Sequence, residues 1–156
     1  MANKTNALRM LDKGKITYRI KEYEVNEEDL SGEHLIKQLG LKAEEVYKTL
    51  VLIGDKKEYL VACIPVDKEI DLKKLAKLSH HKKVEMLHQK DLLSITGYIR
   101  GGCSPIGMKK LFPTYFQEDI LQLKEVYVSA GKRGLQVILS PQDLIEAVKG
   151  KIGDMN

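Results

Sequence analysis

The sequence lacks tryptophan and contains only 2 phenylalanines, 4 prolines and 2 cysteines among its 156 residues. Cys63 and Cys103 are far apart, which excludes a disulfide scaffold and a four-cysteine zinc site and is typical of a protein from a reducing compartment. No apolar run approaches the roughly 20 residues that span a bilayer, and no apolar stretch follows the first lysine as in a secretory signal. We therefore expect a cytoplasmic protein without a membrane partner.

An excess of one charge sign is also missing. Lysine and arginine number 26 and aspartate and glutamate 22, so the formal net charge is +4. This mild excess permits a nucleic-acid partner without requiring one, and an aromatic content of 6% argues against an extended stacking platform for single strands. The hydrophobic share of 43% is enough for a core. Without repeats or a linker-like stretch, we expect a single domain over residues 1–156.

The apolar spacing predicts a mixture of helices and strands. Helices are predicted up to Gly14, from Ser31 to Gly40, after Asp71, around residues 89–94 and after Ser140. Strands are predicted at residues 16–20, 84–86, in a hairpin of 46–53 with 59–64, and in a second hairpin of 126–128 with 135–139 across the turn 131–134. The alternation of Ile16, Tyr18 and Ile20 indicates a half-buried strand, and Leu72, Leu75 and Ala76 are expected to face the core. Because hairpins recur and strand-helix-strand units do not, the fold class is α+β with a mostly antiparallel sheet.

Lys48 is the first candidate for function. It lies in the predicted strand 46–53, on the face that also carries Val46, Leu50 and Leu52. A lysine on an apolar face reaches water, pairs with a carboxylate or contacts a ligand. The sequence alone leaves open whether Lys48 is a strand-end lysine that extends to solvent or a substrate contact.

The second candidate is the glycine-rich segment 101–107 (GGCSPIG). Glycines allow a close approach of the backbone to a ligand, and their amides can form an oxyanion site; they also serve ordinary turns. The spacing fits neither a dinucleotide fingerprint nor a P-loop. Cys103 would need a base to act as a nucleophile, and nothing marks one of the 4 histidines as its partner. The histidines form no His-Glu-x-x-His motif either, so we expect no metal and no cofactor.

Basic residues form small clusters after these motifs. Lys109 and Lys110 follow the glycine-rich segment, and Lys132 and Arg133 lie in the turn 131–134. Each pair alone is typical of a solvated face. Together they are candidates for contacts to a phosphate backbone, which selects for cations without base specificity.

Six ordered segments carry a resemblance to a known family. They are 46–50 (VYKTL), 71–74 (DLKK), 82–86 (KKVEM), 96–98 (TGY), 101–107 (GGCSPIG) and 129–134 (SAGKRG). Through them, and over nearly the whole chain, the sequence resembles the YbaK/EbsC family of editing proteins, which are related to the editing insertion of bacterial prolyl-tRNA synthetases. The resemblance implies an α+β fold with a mixed, mostly antiparallel, barrel-like sheet surrounded by helices.

The resemblance also implies an activity. Such proteins deacylate Cys-tRNA(Pro) in trans, and Cys-tRNA(Cys) is a further expected substrate. The thiol of the substrate cysteine would attack its own ester carbonyl and leave as a thiolactone, so the protein would supply positioning and oxyanion stabilisation without a nucleophile. The implied partners are the 3′ end of mischarged tRNA(Pro) and prolyl-tRNA synthetase in a transient complex; the oligomeric state is left open. The alternatives are hydrolysis of Ala-tRNA(Pro) or another small mischarged residue by water, and a non-catalytic module that binds tRNA or a synthetase.

The resemblance finally implies roles for particular residues. Lys48, Gly101 and Gly102 are the expected catalytic residues. Substrate contacts are expected from Tyr23, Ser31, Thr49, Ser129 and Gly131, and tRNA contacts from Lys109, Lys110, Lys132 and Arg133. Ser31 stands where some members carry an aromatic side chain. Cys103 replaces an aliphatic residue, which argues that no thiol of the protein is needed.

Overall fold

The computed structural model describes residues 4–156. Within them, the α-helices are α1 (Asn6–Lys13), α2 (Gly32–Leu39), α3 (Leu72–Leu78), α4 (Leu92–Thr96) and α5 (Pro141–Ala147). The strands are β1 (Arg19–Glu22), β2 (Tyr47–Gly54), β3 (Tyr59–Pro65), β4 (Val84–Met86), β5 (Thr114–Gln117), β6 (Val126–Lys132), β7 (Leu135–Leu139) and β8 (Lys151–Gly153). No helix in this part of the chain is long and apolar enough to cross a membrane.

Side-chain caps begin four of these helices, as predicted for three of them. Thr5 caps α1, Ser31 caps α2, Asp71 caps α3 and Ser140 caps α5, each accepting a hydrogen bond from a backbone N–H of the first turn. Gly40 ends α2 in the left-handed conformation with φ of +67°.

The strands form two sheets. One has the order β1-β7-β6 and is antiparallel, and the other has the order β4-β2-β3-β5-β8. In the larger sheet β2 is antiparallel to β3 and β4, whereas β5 is parallel to β3 and β8. A parallel bridge between Val46 and Tyr127 connects the two sheets. The α+β class and both predicted hairpins are confirmed, but the sheets do not close into a barrel.

The larger sheet is buried on both faces. On one face Val61, Cys63 and Phe116 join a cluster with α1, β6, β7 and α5. On the other face Ala62 and Ile64 join a second cluster with α3 and β4. This double burial explains why β2 and β3 read as continuous apolar runs rather than as alternating ones.

Two details of the sequence-based prediction are wrong. Ile16 and Tyr18 are half-buried and pack against the cluster that includes α1, as predicted, but the strand begins only at Arg19 and all four residues of β1 are exposed, with Ile20 at 50%. Leu72 is 37% exposed in the first turn of α3, although Leu75 and Ala76 are buried as expected.

Candidate functional site

A cavity of about 540 Å³ lies where α2, the first half of β2, the glycine-rich segment and the β6–β7 hairpin meet. Its lining includes seven of the residues that the sequence singles out: Tyr23, Ser31, Lys48, Thr49, Gly101, Ser129 and Arg133. Cys103 lines it as well. Segments that are more than 80 residues apart in the chain are therefore brought together in one concave site.

Two predicted site residues, Gly102 and Gly131, support the cavity from outside its lining. A Cβ on Gly102 would lie 2.9 Å from the backbone N of Arg133 and from backbone atoms of Lys132. Gly131 has φ of +107°, and its Cβ would lie 3.0 Å from the ring of Tyr98. Gly102 thus allows the glycine-rich segment to pack backbone against backbone with the β6–β7 turn, and Gly131 leaves room for the side chain of Tyr98.

The remaining cations lie outside the cavity lining. Lys109 donates from Nζ to the carbonyl oxygen of Ser94 at 3.1 Å, near the end of α4. Lys110 lines a separate small cleft that also contains Met10 and Leu111. Lys132 is an exposed residue at the end of β6.

Lys48 is the half-buried cation of the cavity wall. It is the second residue of β2, with its Cα opposite Ile64. Within residues 4–156 its ammonium group forms no ion pair or hydrogen bond. Burial lowers the pKa of Lys48, and the carboxylates of Glu69 and Asp67 at the cavity rim oppose this effect. The site thus holds an uncommitted cation beside a substrate-sized space.

The glycine-rich segment offers one free amide. Gly102 donates its N–H to the carbonyl oxygen of Ile99 at 2.9 Å. Gly101 has φ of +83°, and no group within residues 4–156 accepts a hydrogen bond from its N–H. Arg133 covers this glycine: its Nε donates to the carbonyl oxygen of Arg100 at 2.8 Å and would lie 3.3 Å from a Cβ on Gly101. Of the two predicted amide donors, only that of Gly101 is therefore available to a ligand.

The cysteines are poor nucleophiles in this environment. Burial raises the pKa of Cys103 to about 12 and that of Cys63 to about 12. Both thiols are therefore protonated at neutral pH. In the part of the chain that the structure describes, no three histidine, cysteine, aspartate or glutamate side chains come together as a metal site.

The lining residues that sequence reasoning did not propose include the polar side chains of His34, Arg100 and Gln136. Gln136 is 3% exposed, and its Oε1 has no hydrogen-bond partner within residues 4–156. Its Cα lies opposite Ser129 in the β6–β7 pairing. A polar glutamine within the apolar run 135–139 could have been recognised in the sequence as a candidate site residue, for the same reason as the lysine at position 48. His34 lies in the first turn of α2, and its position in the sequence gave no such signal.

The chain is similar to several known proteins. Residues 28–147 match the family described as the aminoacyl-tRNA editing domain. A protein of Enterococcus faecalis, EbsC, is 50% identical over 152 residues, which cover 97% of this chain and 93% of that protein; its name describes it as a candidate Cys-tRNA(Pro)/Cys-tRNA(Cys) deacylase.

Solved structures share the fold. The crystal structure of a hypothetical protein matches with a TM-score of 0.88 and 20% identity, covering 97% of this chain and 99% of the other. The crystal structure of a candidate trans-editing enzyme for prolyl-tRNA synthetase matches with a TM-score of 0.83 and 20% identity, covering 99% of both chains. At this level of identity the likeness concerns the fold alone.

Proposed function

The chain belongs to the family of aminoacyl-tRNA editing domains, and from this premise we propose that it deacylates Cys-tRNA(Pro) and Cys-tRNA(Cys) in trans. The observation that carries the proposal is the pairing of two uncommitted groups in one cavity, the ammonium of Lys48 and the N–H of Gly101. Both are donors, as the stabilisation of negative charge requires. The volume of about 540 Å³ suits an aminoacylated terminal nucleoside.

The proposed chemistry uses the substrate as its own nucleophile. The cysteine sulfur of the aminoacyl group attacks the ester carbonyl and loses its proton to water. The carbonyl carbon then breaks its bond to the ribose oxygen, which takes up a proton, and a thiolactone and free tRNA leave. The Gly101 N–H binds the oxygen that becomes negative, while Lys48 orients the terminal nucleotide and balances its charge. The protonated Cys103 takes no part.

Contacts to the remainder of the tRNA are proposed for the cations around the cavity. Arg100 and Arg133 lie in its lining, and Lys132 is beside them, so these three can reach the phosphates that precede the terminal nucleotide. Lys109 and Lys110 are assigned to a more distant part of the acceptor stem. A domain of this size reads little tRNA identity, which is why we propose a transient complex with prolyl-tRNA synthetase in the cytoplasm.

One alternative has support from a specific observation. His34 lies in the cavity, which supplies the base that the sequence alone did not reveal. A base in this place favours water as the nucleophile and hydrolysis of Ala-tRNA(Pro) or another small mischarged residue. The two mechanisms differ in the released product.

The test is a deacylation assay with the purified protein and a panel of tRNAs charged with cysteine, alanine, serine and S-methylcysteine. We expect rapid release from the cysteinyl esters, with a thiolactone as the first product detected by mass spectrometry. Free amino acid from the alanyl or seryl esters at a similar rate would establish attack by water. Binding of tRNA without turnover of any ester would show a non-catalytic module.

A further inference from the structure

The main chain of β2 has a free position in the cavity wall. At the start of the strand, the carbonyl oxygen of Val46 accepts a hydrogen bond from Val66 N–H at 2.9 Å on the side of β3. The carbonyl oxygen of Val51 accepts from Leu87 N–H at 3.0 Å on the opposite side, where β4 lies. Main-chain groups of successive residues point to alternate sides of a strand. The N–H and C=O of Thr49 therefore point away from β3.

Two other strands use this outer edge of β2, one at each end. β4 pairs with residues 52–54, and β6 meets β2 at the Val46–Tyr127 bridge. Between the two contacts lies Thr49, and within residues 4–156 no strand pairs with it on this outer side of β2. Thr49 lines the cavity. We call this gap between β4 and β6 the fork at Thr49. It presents one main-chain donor, the N–H of Thr49, and one acceptor, its C=O, side by side to a ligand in the cavity.

Resting on the deacylase function proposed above, we propose that this gap binds the adenine of the tRNA's terminal adenosine. All tRNAs carry the amino acid on a terminal adenosine, so its base enters the cavity together with the ester. The Watson–Crick edge of adenine has an acceptor, N1, next to a donor, the N6 amino group. The N–H of Thr49 donates to N1, and the C=O of Thr49 accepts from N6. Lys48, the preceding residue, is then close to the ribose and ester of the same nucleotide.

The size and polarity of the gap favour a base over a peptide. A strand that adds to a sheet edge forms main-chain pairs over several residues, whereas this opening contains one outward-facing residue between two occupied positions. Guanine and uracil carry a donor where adenine has N1, and this donor would oppose the N–H of Thr49. The order of donor and acceptor in the main chain therefore discriminates against guanine and uracil.

The test measures the affinity of the full-length protein for uncharged acceptor-stem minihelices that differ in the terminal base. Purine riboside, which lacks the N6 amino group, and 1-deazaadenosine, which lacks N1, should each weaken binding about five-fold, as the loss of one neutral hydrogen bond predicts. A terminal guanosine should weaken it further. 7-Deazaadenosine, which keeps the Watson–Crick edge, should bind like adenosine. Equal affinities for all five ends would overturn the proposal.

A variant of the protein tests the same contact from the side of the protein. Thr49→Pro removes an N–H that points away from β3, in a stretch of β2 whose outer side pairs with no strand, as in the edge strands where proline occurs, and it should abolish the preference for adenosine over 1-deazaadenosine. A preference that persists in the folded variant would refute the assigned contact. If the variant does not fold, the minihelix affinities decide the question without it. The binding measurement needs no turnover, so it is independent of the deacylation assay. If the protein prefers a terminal adenosine but releases no amino acid from any ester, the proposed function is refuted and the adenine site is retained.

Discussion

Replacing Gly102 with alanine tests how the cavity is held together. The added Cβ would lie 2.9 Å from three backbone atoms of Lys132 and Arg133, a distance that forces one of the two segments to move. A backbone cannot rotate away as a flexible side chain does. Insertion of an extra methyl group into a packed region destabilises a protein by about 1–3 kcal/mol. For a domain of this length, 2 kcal/mol corresponds to a fall in Tm of roughly 4–8 °C.

The same displacement should reach the chemistry. Gly101 directly precedes the point of contact, and the Arg133 side chain that covers it belongs to the segment that moves. An oxyanion donor that shifts by a fraction of an ångström loses much of its effect, so we expect Gly102→Ala to lower kcat at least about ten-fold. The measurements are thermal unfolding and the deacylation assay under single-turnover conditions.

Gly40→Ala is the matched control. Gly40 has φ of +67°, but a Cβ there would meet no atom within 4 Å, and the residue is outside the cavity. Alanine should destabilise the protein by about 1 kcal/mol through backbone conformation alone and leave deacylation unchanged. An unaltered Tm and unaltered kcat for Gly102→Ala would refute the close backbone contact and its role in placing Gly101.

Four further outcomes are expected. Lys48→Ala should abolish deacylation with the fold intact, and Lys48→Arg should not restore it, because a planar guanidinium does not replace a compact ammonium; unchanged turnover would remove Lys48 from the mechanism. Because burial lowers the pKa of Lys48 from its ordinary value of 10.5, the charged form destabilises the folded state below that pH. Lys48→Met should therefore raise stability at pH 7, by an amount that shrinks as the pH rises towards 10.5 in denaturant titrations. Cys103→Ala should keep most activity, and the wild-type thiol should react slowly with iodoacetamide at pH 7, since its pKa is about 12; rapid alkylation would contradict the raised pKa. Lys132→Glu should weaken tRNA binding with a smaller salt dependence and little change in the chemical step, whereas Arg133→Glu should impair both, because Arg133 also holds the carbonyl oxygen of Arg100.

Local sequence signals predicted much of the fold because their causes are local. Ser31, Asp71 and Ser140 cap the helices that they were expected to cap, and the second hairpin forms where it was predicted, with Val126 opposite Leu139 and Val128 opposite Val137. The strands β5 and β8 were missed. They have four and three residues, and they form parallel pairs with neighbours distant in the chain, so no turn or alternating pattern indicates them.

The site, like the fold, has features that the sequence predicts and features that depend on distant segments. A lysine in an apolar strand and a pair of glycines are visible in the sequence, and both Lys48 and Gly101 line the cavity. The sequence does not show which of the two glycine amides is free. The turn places the N–H of Gly102 against the carbonyl oxygen of Ile99, and two adjacent glycines alone do not predict this hydrogen bond. The placement of His34 depends on where α2 lies at the cavity. The fork at Thr49 depends on where β4 and β6 end their contacts with β2, which is a property of three distant segments.

The exposed edge strand β1 has a consequence for how the cavity opens. β1 is held by its pairing with β7, and the N–H of Tyr23 just after it donates to the carbonyl oxygen of Gly134 at 2.9 Å. With no apolar side chain of β1 buried, this segment can separate from β7 at a free energy well below that of global unfolding. β2 and β3 lie between two hydrophobic clusters, so we expect them to open only when the whole protein unfolds. In native-state hydrogen exchange, the amides near Tyr23 should therefore exchange by local opening and those of β3 by global unfolding. We therefore expect a nucleotide to enter past the wall that carries Tyr23, which lines the cavity.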